Sequence, residues 1–339
     1  MYRGVKDSKA GDSETDVQMS LNAIEVSREM PDMRDTERRA MKLCRGVLFA
    51  AAICANSAAA GAAEAAAEAT QPSDLTLANF LSDGWDQDWT QRHRLTPDMS
   101  LLKVQTNFME MEYRFDYAHT AGNQHLKYSD IDFVNNLIAY SPSRRVQIEV
   151  FGNNQWNSPN PQIRGAEGVS GPAMGGLVRF QLVDTMTSSY AFQARVATAN
   201  QALGQTQDLT TYSLAGWNDL QALLGLDRTG LYYSVQYDRW LGSHGIGALE
   251  SDVGYDVSVA KTWTRPDAPV FGRFTTFLEA YATTNLDGAY QDRTIATLTP
   301  GVRFWFLPKH SLTLGIDLPV THPTPFGDVV RATYIYNFF

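Results

Sequence analysis

One feature of this sequence restricts its fold more than any other: from Leu102 to Phe339, apolar and polar residues alternate with a period of two. The stretch from Val104 to Ala118 shows the pattern most clearly. Its apolar parity comprises Met109, Met111, Tyr113, Phe115 and Tyr117, and its charged parity comprises Glu110, Glu112, Arg114 and Asp116. Because successive side chains of a β-strand point to opposite faces, this pattern predicts a strand with one apolar and one charged face.

The alternating segments are numerous and long. Twelve are predicted, at about 103–118, 126–140, 145–156, 174–184, 189–199, 211–226, 231–241, 253–264, 273–283, 293–306, 311–321 and 328–339. They run about 10–15 residues, whereas strands of soluble proteins usually have about 5–6. The greater length is suited to strands that cross a bilayer at a tilt.

The connections between these segments tend to alternate in length. Short turns are predicted at 141–144, 185–188, 227–230 and 308–310. Longer loops, richer in Gly, Pro, Asn and Gln, are predicted at 157–173, 200–210, 242–252, 284–292 and 322–327. The turn at 265–272 is long and the first hairpin loop is short, so the alternation is a tendency. Short turns on one side and long loops on the other are typical of bacterial outer-membrane barrels.

The last segment, TYIYNFF, is aromatic on alternate positions up to Phe338, with Phe339 as one extra residue. This ending resembles the final strand of Gram-negative outer-membrane β-barrel proteins. The resemblance implies that Tyr334, Tyr336, Phe338 and Phe339 form the signal that the barrel-assembly machinery reads.

These observations predict an all-β fold: a closed antiparallel transmembrane β-barrel of 12 strands over 102–339, with a short helical or irregular periplasmic segment before it. Lipid cannot hydrogen-bond the backbone, so only helices and closed barrels span a membrane. A mean hydropathy of −0.28 argues against a bundle of membrane helices. A net charge of −9 argues against a nucleic-acid partner. The predicted location is the outer membrane, in contact with its lipid.

An export signal is predicted at 41–63, where Lys42 and Arg45 precede an apolar run and small residues follow. Both cysteines of the chain, Cys44 and Cys54, lie in this segment. Residues 1–40 form a charged extension, which we interpret as the result of a start assigned upstream of Met41. A cytoplasmic tail is the alternative.

Residues 64–101 are predicted to be a periplasmic linker. Leu75, Leu77, Phe80 and Leu81 have helical spacing, and Ser73 or Asp74 is a candidate N-cap. Trp85 and Trp89 follow. Three arrangements remain open for this segment: it plugs the periplasmic mouth, lies along the rim, or stays loose.

If the apolar parity faces lipid, the other parity lines the interior. The predicted lumen residues are Glu110, Glu112, Arg114, Asp116, Asp130, Asp132, Glu149, Arg179, Arg195, Asp219, Asp238, Asp256, Glu279, Arg303, Asp317 and Arg331. Acids outnumber arginines in this set, which predicts a preference for cations or neutral solutes, led by Glu110, Glu112, Asp130 and Asp132. The alternative is a structural network of paired charges that fills a barrel of intermediate width.

The sequence is compatible with three classes of function. A channel or transporter for small solutes needs a polar lumen and no catalytic cluster, and it is favoured. Stretches such as LTPGVRFWF and the ending TYIYNF give a weak resemblance to outer-membrane transporters associated with aromatic (phenol) degradation pathways. An anchor or surface-binding barrel would use the long loops, 157–173 above all.

A barrel hydrolase of the outer-membrane phospholipase type is disfavoured. That class uses a His-x-Ser pair, and none of the six histidines is followed two residues later by Ser. No catalytic residue, cofactor or metal site is predicted, because no phosphate loop or metal-ligand spacing occurs.

Overall fold

The computed structural model describes residues 72–338 except 91, 93, 95, 121–127, 160–168, 199–206, 243–250, 266–267, 269–270, 289–290 and 322–326. The predicted export signal and charged extension lie outside these residues. No helix within the described ranges is long and apolar enough to cross a membrane.

The twelve predicted strands form a single closed antiparallel barrel, which confirms the predicted fold class. They are β1 (Glu112–Thr120), β2 (Tyr128–Tyr140), β3 (Val146–Pro159), β4 (Val169–Asp184), β5 (Ser188–Ala197), β6 (Gln207–Asp219), β7 (Thr229–Gly242), β8 (Ser251–Thr262), β9 (Gly272–Asn285), β10 (Thr294–Leu307), β11 (His310–Pro319) and β12 (Val329–Asn337). Each strand pairs with its neighbours in sequence, and β1 pairs with β12 to close the barrel. Closure removes the free edges that would otherwise aggregate.

The short connections lie at one end of the barrel, which we call the turn end. Here β1 begins, β12 ends, and residues 141–145, 185–187 and 308–309 join neighbouring strands. The opposite end, the loop end, is where β1 ends and β2 begins, and likewise for β3 and β4, β5 and β6, β7 and β8, β9 and β10, and β11 and β12. An even number of strands places both barrel termini at the turn end.

The structure differs from the prediction most at two strand boundaries. The first strand begins at Glu112 rather than near 103, because Glu112 pairs with Asn337, the last residue of β12. The sixth ends at Asp219, where a short helix α1 (Leu220–Leu224) begins. Asp219 caps this helix at its N-terminus, and Gly225 ends it with a positive φ of 72°.

The helix predicted around Leu75–Leu81 is absent from the described residues there, which form turns. Leu75 instead makes an isolated antiparallel bridge with Asp184 at the end of β4. Hydrogen bonds between Thr76 and Asn79 hold the turn that follows. Side-chain bonds of this kind compete with helix formation.

The apolar core lies inside the barrel rather than between two sheets. Leu101, Val104 and Phe108 come from the residues before β1, which we call the N-terminal segment (72–111). They pack against inward-facing residues of the wall, chiefly Trp217, Tyr232, Ala260 and Phe277. The barrel therefore encloses part of its own chain.

Candidate functional site

The wall of the barrel separates apolar from polar side chains. Large exposed residues such as Ile138, Val150, Leu214, Val257 and Leu278 lie on its outer face. The alternate positions of the same strands carry buried polar residues, including Gln147, Glu149, Gln193, Ser213, Asp256, Glu279 and Thr313. Period-two alternation in a strand produces this separation directly. The polar interior is the candidate functional site.

The N-terminal segment is fastened at the turn end by buried arginines. Arg92 Nε lies 2.8 Å from Asp184 Oδ2, and Arg94 donates to Asp184 Oδ1 and to the carbonyl oxygen of Thr185. Arg145, which is fully buried, donates to the carbonyl oxygens of Asp83 and Gln181. These bonds join the segment to the turns on either side of β3 and β4.

Beyond this anchor the segment runs inside the barrel and contacts strands around its circumference. The carbonyl of Ser100 accepts from Arg303 at 2.8 Å, and the carbonyl of Phe108 accepts from Arg179 at 3.1 Å. Asn107 Nδ2 donates to the carbonyl oxygen of Ser189 at 2.9 Å. The segment therefore occupies the lumen from the turn end inward.

The innermost part of the segment contacts the wall of β7 to β11. Glu279 Oε1 accepts from the backbone N–H groups of Lys103 and Val104 at 3.2 and 3.3 Å. Lys103 Nζ lies 3.1 Å from Asp317 Oδ2. Gln105 Nε2 donates to Gln236 Oε1 at 3.0 Å. Side chains from three or more strands thus position this short stretch.

A cavity of about 180 Å³ lies between residues 100–106 of the segment and the wall of β1 to β5. Its charged lining consists of Lys103, Glu110, Glu112, Arg114, Asp116, Glu149, Arg179 and Arg195. A space of this size admits a few water molecules or a small solute. Its polarity suits hydrophilic occupants.

Most of the charges around the cavity are paired. Arg179 Nη2 lies 2.7 Å from Glu149 Oε1, and Arg114 Nε lies 2.7 Å from Asp116 Oδ1. Arg195 instead stacks over the Phe151 ring at 4.2 Å from its centroid. Such pairing offsets the cost of removing charges from water. Arg195 keeps its charge directed into the cavity.

A second wall, formed by β7 to β9, is acidic. Asp238, Asp252, Asp256 and Glu279 are all at least nine-tenths buried and face inward. Asp238 is directly opposite Asp252 in the register of β7 and β8. One oxygen of Asp252, Asp256 and Glu279 makes no hydrogen bond within the described part of the chain. The lumen is therefore electrically asymmetric, with acids and arginines in balance along β1 to β5 and surplus carboxylates along β7 to β9.

Most of the predicted lumen residues point inward. These are Glu112, Arg114, Asp116, Glu149, Arg179, Arg195, Asp219, Asp238, Asp256, Glu279, Arg303, Asp317 and Arg331. Glu110 also borders the cavity, but it belongs to the N-terminal segment rather than to β1.

The prediction for Asp132 is wrong. Its carboxylate accepts from Tyr117 at 2.7 Å and lies 2.9 Å from His119 Nδ1. Both partners are on the outward parity of β1, since the inward parity carries Asp116 and Ala118. Near the loop end of β2 both parities are mixed in polarity, so the alternation there does not identify the inner face. The structure does not describe the side chain of Asp130, so the prediction for this residue stays a prediction.

The predicted lumen set lacks several charged residues of the barrel interior, among them Lys103 and Asp252. The sequence pattern places Lys103 in the first strand and Asp252 in the loop before the eighth. In the structure Lys103 lies inside the barrel and Asp252 is the second residue of β8. Asp252 and Asp256 are four residues apart and so have the same strand parity. This shared parity is the sequence feature that indicates an inward position for Asp252.

Two histidines fall within the described residues of the barrel, and each contacts a polar partner other than serine. His119 lies beside Asp132, and His310 Nδ1 lies 2.7 Å from the Tyr334 hydroxyl. Among the described residues, no group of three or more His, Cys, Asp or Glu side chains is arranged to hold a metal ion.

No protein-family model and no curated protein matches the chain. Several solved structures are similar in fold. The KdgM porin has a TM-score of 0.41 and 10% identity, over 67% of this chain and 99% of its own. The COG4313 outer membrane channel from Pseudomonas putida F1 has a TM-score of 0.47 and 13% identity, over 69% of this chain and 97% of its own. LpxR from Salmonella typhimurium has a TM-score of 0.38 and 12% identity, over 66% of this chain and 100% of its own. Likenesses at this level extend only to barrel architecture.

The location follows from the barrel itself. A closed antiparallel barrel satisfies all its backbone hydrogen bonds, so its exterior tolerates lipid. Its outer face carries the apolar residues that lipid requires, and its strands have the length and even number of bacterial outer-membrane barrels. The chain is an outer-membrane β-barrel with a polar lumen.

Proposed function

We propose that the protein is a channel for passive or facilitated diffusion of small solutes, and that the N-terminal segment closes it at the periplasmic end. The single observation that carries the proposal is the charged cavity between residues 100–106 and the wall of β1 to β5. A barrel that served only as an anchor would not need a charged space in its lumen. The turn end faces the periplasm in this proposal.

Opening requires the segment to shift away from the wall. Leu101, Val104 and Phe108 pack against apolar residues of β6 to β9. The flank beside the cavity is held by hydrogen bonds, from Gln193 to the carbonyl oxygen of Thr106 and from the Glu110 N–H to Gln147. Hydrogen bonds exchange with water at a net cost of about 1 kcal/mol each, so the polar flank is the easier one to release. The solute path therefore runs beside the segment, along β1 to β5.

The proposed channel prefers cations, because inward-facing acids outnumber inward-facing bases. The test is the reversal potential of the purified protein in a planar bilayer under a salt gradient. Replacing Asp252→Asn and Asp256→Asn together should shift it toward zero, since these carboxylates have oxygens without hydrogen-bond partners in the described chain. Asp132→Asn is the matched control, because this acid faces outward. An unchanged reversal potential in the double variant contradicts the proposal.

Two alternatives have distinct outcomes. A surface-binding or anchor barrel predicts no flux of any small solute into liposomes, together with tight binding of a partner to the loops. A hydrolase predicts release of fatty acid or peptide products by the pure protein. Small aromatic compounds remain candidate solutes through the weak sequence resemblance alone, and growth of a deletion strain on a panel of carbon sources tests them.

The ending Tyr334, Tyr336, Phe338 and Phe339 remains the proposed recognition signal for the barrel-assembly machinery. In support, β12 supplies one of the two strands that close the barrel. Tyr336 lies 4.9 Å from His310 and 5.8 Å from Phe338 between ring centroids, so the end of β12 forms an aromatic cluster.

A further inference from the structure

An ammonium group already lies within the lumen, and it belongs to the chain itself. Lys103 Nζ is 3.1 Å from Asp317 Oδ2 and 2.8 Å from Thr297 Oγ1. It also lies 4.8 Å from the centroid of the Tyr281 ring. The lysine comes from the N-terminal segment, whereas its three partners come from β11, β10 and β9.

This surrounding is a built recognition site for a primary ammonium. A carboxylate supplies charge, a hydroxyl accepts a second hydrogen bond, and an aromatic face contributes a cation–π attraction. Asp317 also accepts from Thr299 and from Arg331, each at 2.7 Å, so contacts within the wall hold this carboxylate independently of the lysine. The site would retain its shape if another ammonium replaced that of Lys103.

The wall beside this site has more acceptors than Lys103 can satisfy. Glu279 Oε2, Asp256 Oδ1 and Ser258 Oγ are buried and make no hydrogen bond within the described chain. Ser258 is 1% exposed and is paired with Glu279 across β8 and β9. Buried acceptors without partners are costly. A ligand that donates several hydrogen bonds would remove this cost.

The spacing suits a ligand with two ammonium groups. Glu279 is directly opposite Thr299, whose hydroxyl donates to Asp317 at 2.7 Å. Glu279 on β9 and Asp317 on β11 are therefore carried by backbones two strand spacings apart, at about 5 Å per spacing. A short alkyl diamine can place one ammonium at each.

We propose that the lumen binds short alkyl diamines on the wall of β7 to β11, and that Lys103 is the tethered occupant they displace. The proposal rests on the channel function above, since these amines would be its solutes. One ammonium takes the place of Lys103 at Asp317, Thr297 and Tyr281, and the other faces Asp256 and Glu279. Displacement needs only the lysine side chain to move. A metal ion is the poorer occupant, because no described group of three ligands is arranged for one.

The test is calorimetric titration of 1,5-diaminopentane into the purified full chain in detergent, with pentane-1,5-diol as the uncharged probe. Lys103→Gln removes the competing ammonium and should tighten diamine binding about tenfold relative to wild type. Lys103→Arg keeps a cation in place and should leave binding weak. Adding Asp256→Asn and Glu279→Gln to Lys103→Gln should weaken binding at least about tenfold.

Retention of the folded barrel is verified for every variant by its circular dichroism and its heat-modifiable migration in gels. Equal binding of the diol and the diamine, or no tightening in Lys103→Gln, would overturn the proposed site. The channel function is tested separately by swelling of liposomes with small neutral sugars. Sugar flux without diamine binding would support the channel function and contradict the amine site. Diamine binding without any flux would support the amine site and contradict the channel function.

Discussion

At the scale of single residues, the position of the N-terminal segment depends on a few buried charges. Asp184 is the clearest case, because one carboxylate contacts the guanidinium groups of Arg92, Arg94 and Arg144. All three arginines are buried. Much of the electrostatic stabilisation of the seated segment at the turn end therefore depends on this one side chain.

Replacing Asp184→Asn should release the turn end of the segment. It removes the carboxylate charge that Arg92, Arg94 and Arg144 share. Arg92 and Arg94 keep Asp74 and Asp98 as acidic partners, so the loss is at most the roughly 3–5 kcal/mol that breaking a buried pair costs. The expected result is a higher single-channel conductance and faster proteolysis within 72–94. Asp227→Asn, an exposed acid of another turn, is the matched control. Conductance and cleavage equal to wild type would argue against this anchoring role.

A second residue-scale prediction concerns pH. Burial raises the pKa of the Asp98 carboxyl from 3.8 to about 6, against the lowering effect of Arg94 and Arg273 and with a small raising effect of Glu110. Because the seated segment binds this proton more tightly than a released one, seating is strongest at low pH and weakens as pH rises through about 6. Conductance should therefore rise between about pH 4 and pH 7.

The control for that titration is Asp98→Asn, in which the carboxyl is absent. Other lumen acids also titrate, so the relevant quantity is the difference between the wild-type and Asp98→Asn profiles. Identical profiles would show that Asp98 does not contribute to seating.

At the scale of strands, aromatic rings cover glycines on the neighbouring strand. Phe151 is directly opposite Gly175 in β3 and β4, and Phe277 is directly opposite Gly301 in β9 and β10. A Cβ at either glycine would lie 2.2 Å from the ring. These glycines are therefore required for the close approach of the ring. Phe151 in turn supports the Arg195 guanidinium.

Gly301→Ala should destabilise the barrel, because the added Cβ would displace Phe277 from the lumen core. Overpacking of this kind costs about 1–3 kcal/mol. The measurement is the urea midpoint of unfolding from detergent or lipid, followed by tryptophan fluorescence. Gly152→Ala is the control, since nothing lies within 4 Å of its Cβ position. Equal losses in the two variants would contradict the packing explanation.

At the scale of the whole molecule, the barrel and the segment inside it stabilise one another. The segment supplies apolar residues to the core, and the wall supplies hydrogen bonds to its backbone. A closed wall and a firmly seated interior make a channel that is shut until the segment moves. Transport in this proposal is therefore limited by that displacement.

A cross-link tests the displacement. Asn107→Cys with Ser189→Cys places two thiols where the native side chains each bond the other residue's backbone. Cys44 and Cys54 are replaced by Ser to exclude other pairings. Oxidation should hold the segment against β5 and lower solute flux into liposomes, and reduction should restore it. Equal flux in both states would show that transport does not require the segment to leave β5.

The sequence by itself determined the strands, the barrel and its polar interior. Alternate side chains of a strand lie on opposite faces, and lipid accepts only one of those faces, so the pattern from Glu112 to Asn337 leaves little choice of fold. It did not determine the ends of the pattern. Residues 103–111 alternate as β1 does, yet they lie inside the barrel, because β12 offers pairing partners only from Glu112 onward.

Only the tertiary structure decided which charges meet. The inner face of β2 was misassigned at Asp132, where both parities contain polar residues and lipid no longer distinguishes them. The pairing of Lys103 with Asp317 joins residues far apart in the chain, and closure of the barrel brings them together. Periodicity depends on neighbours along the strand, whereas the charge pattern of the lumen depends on what the closed wall and the enclosed segment place opposite each other.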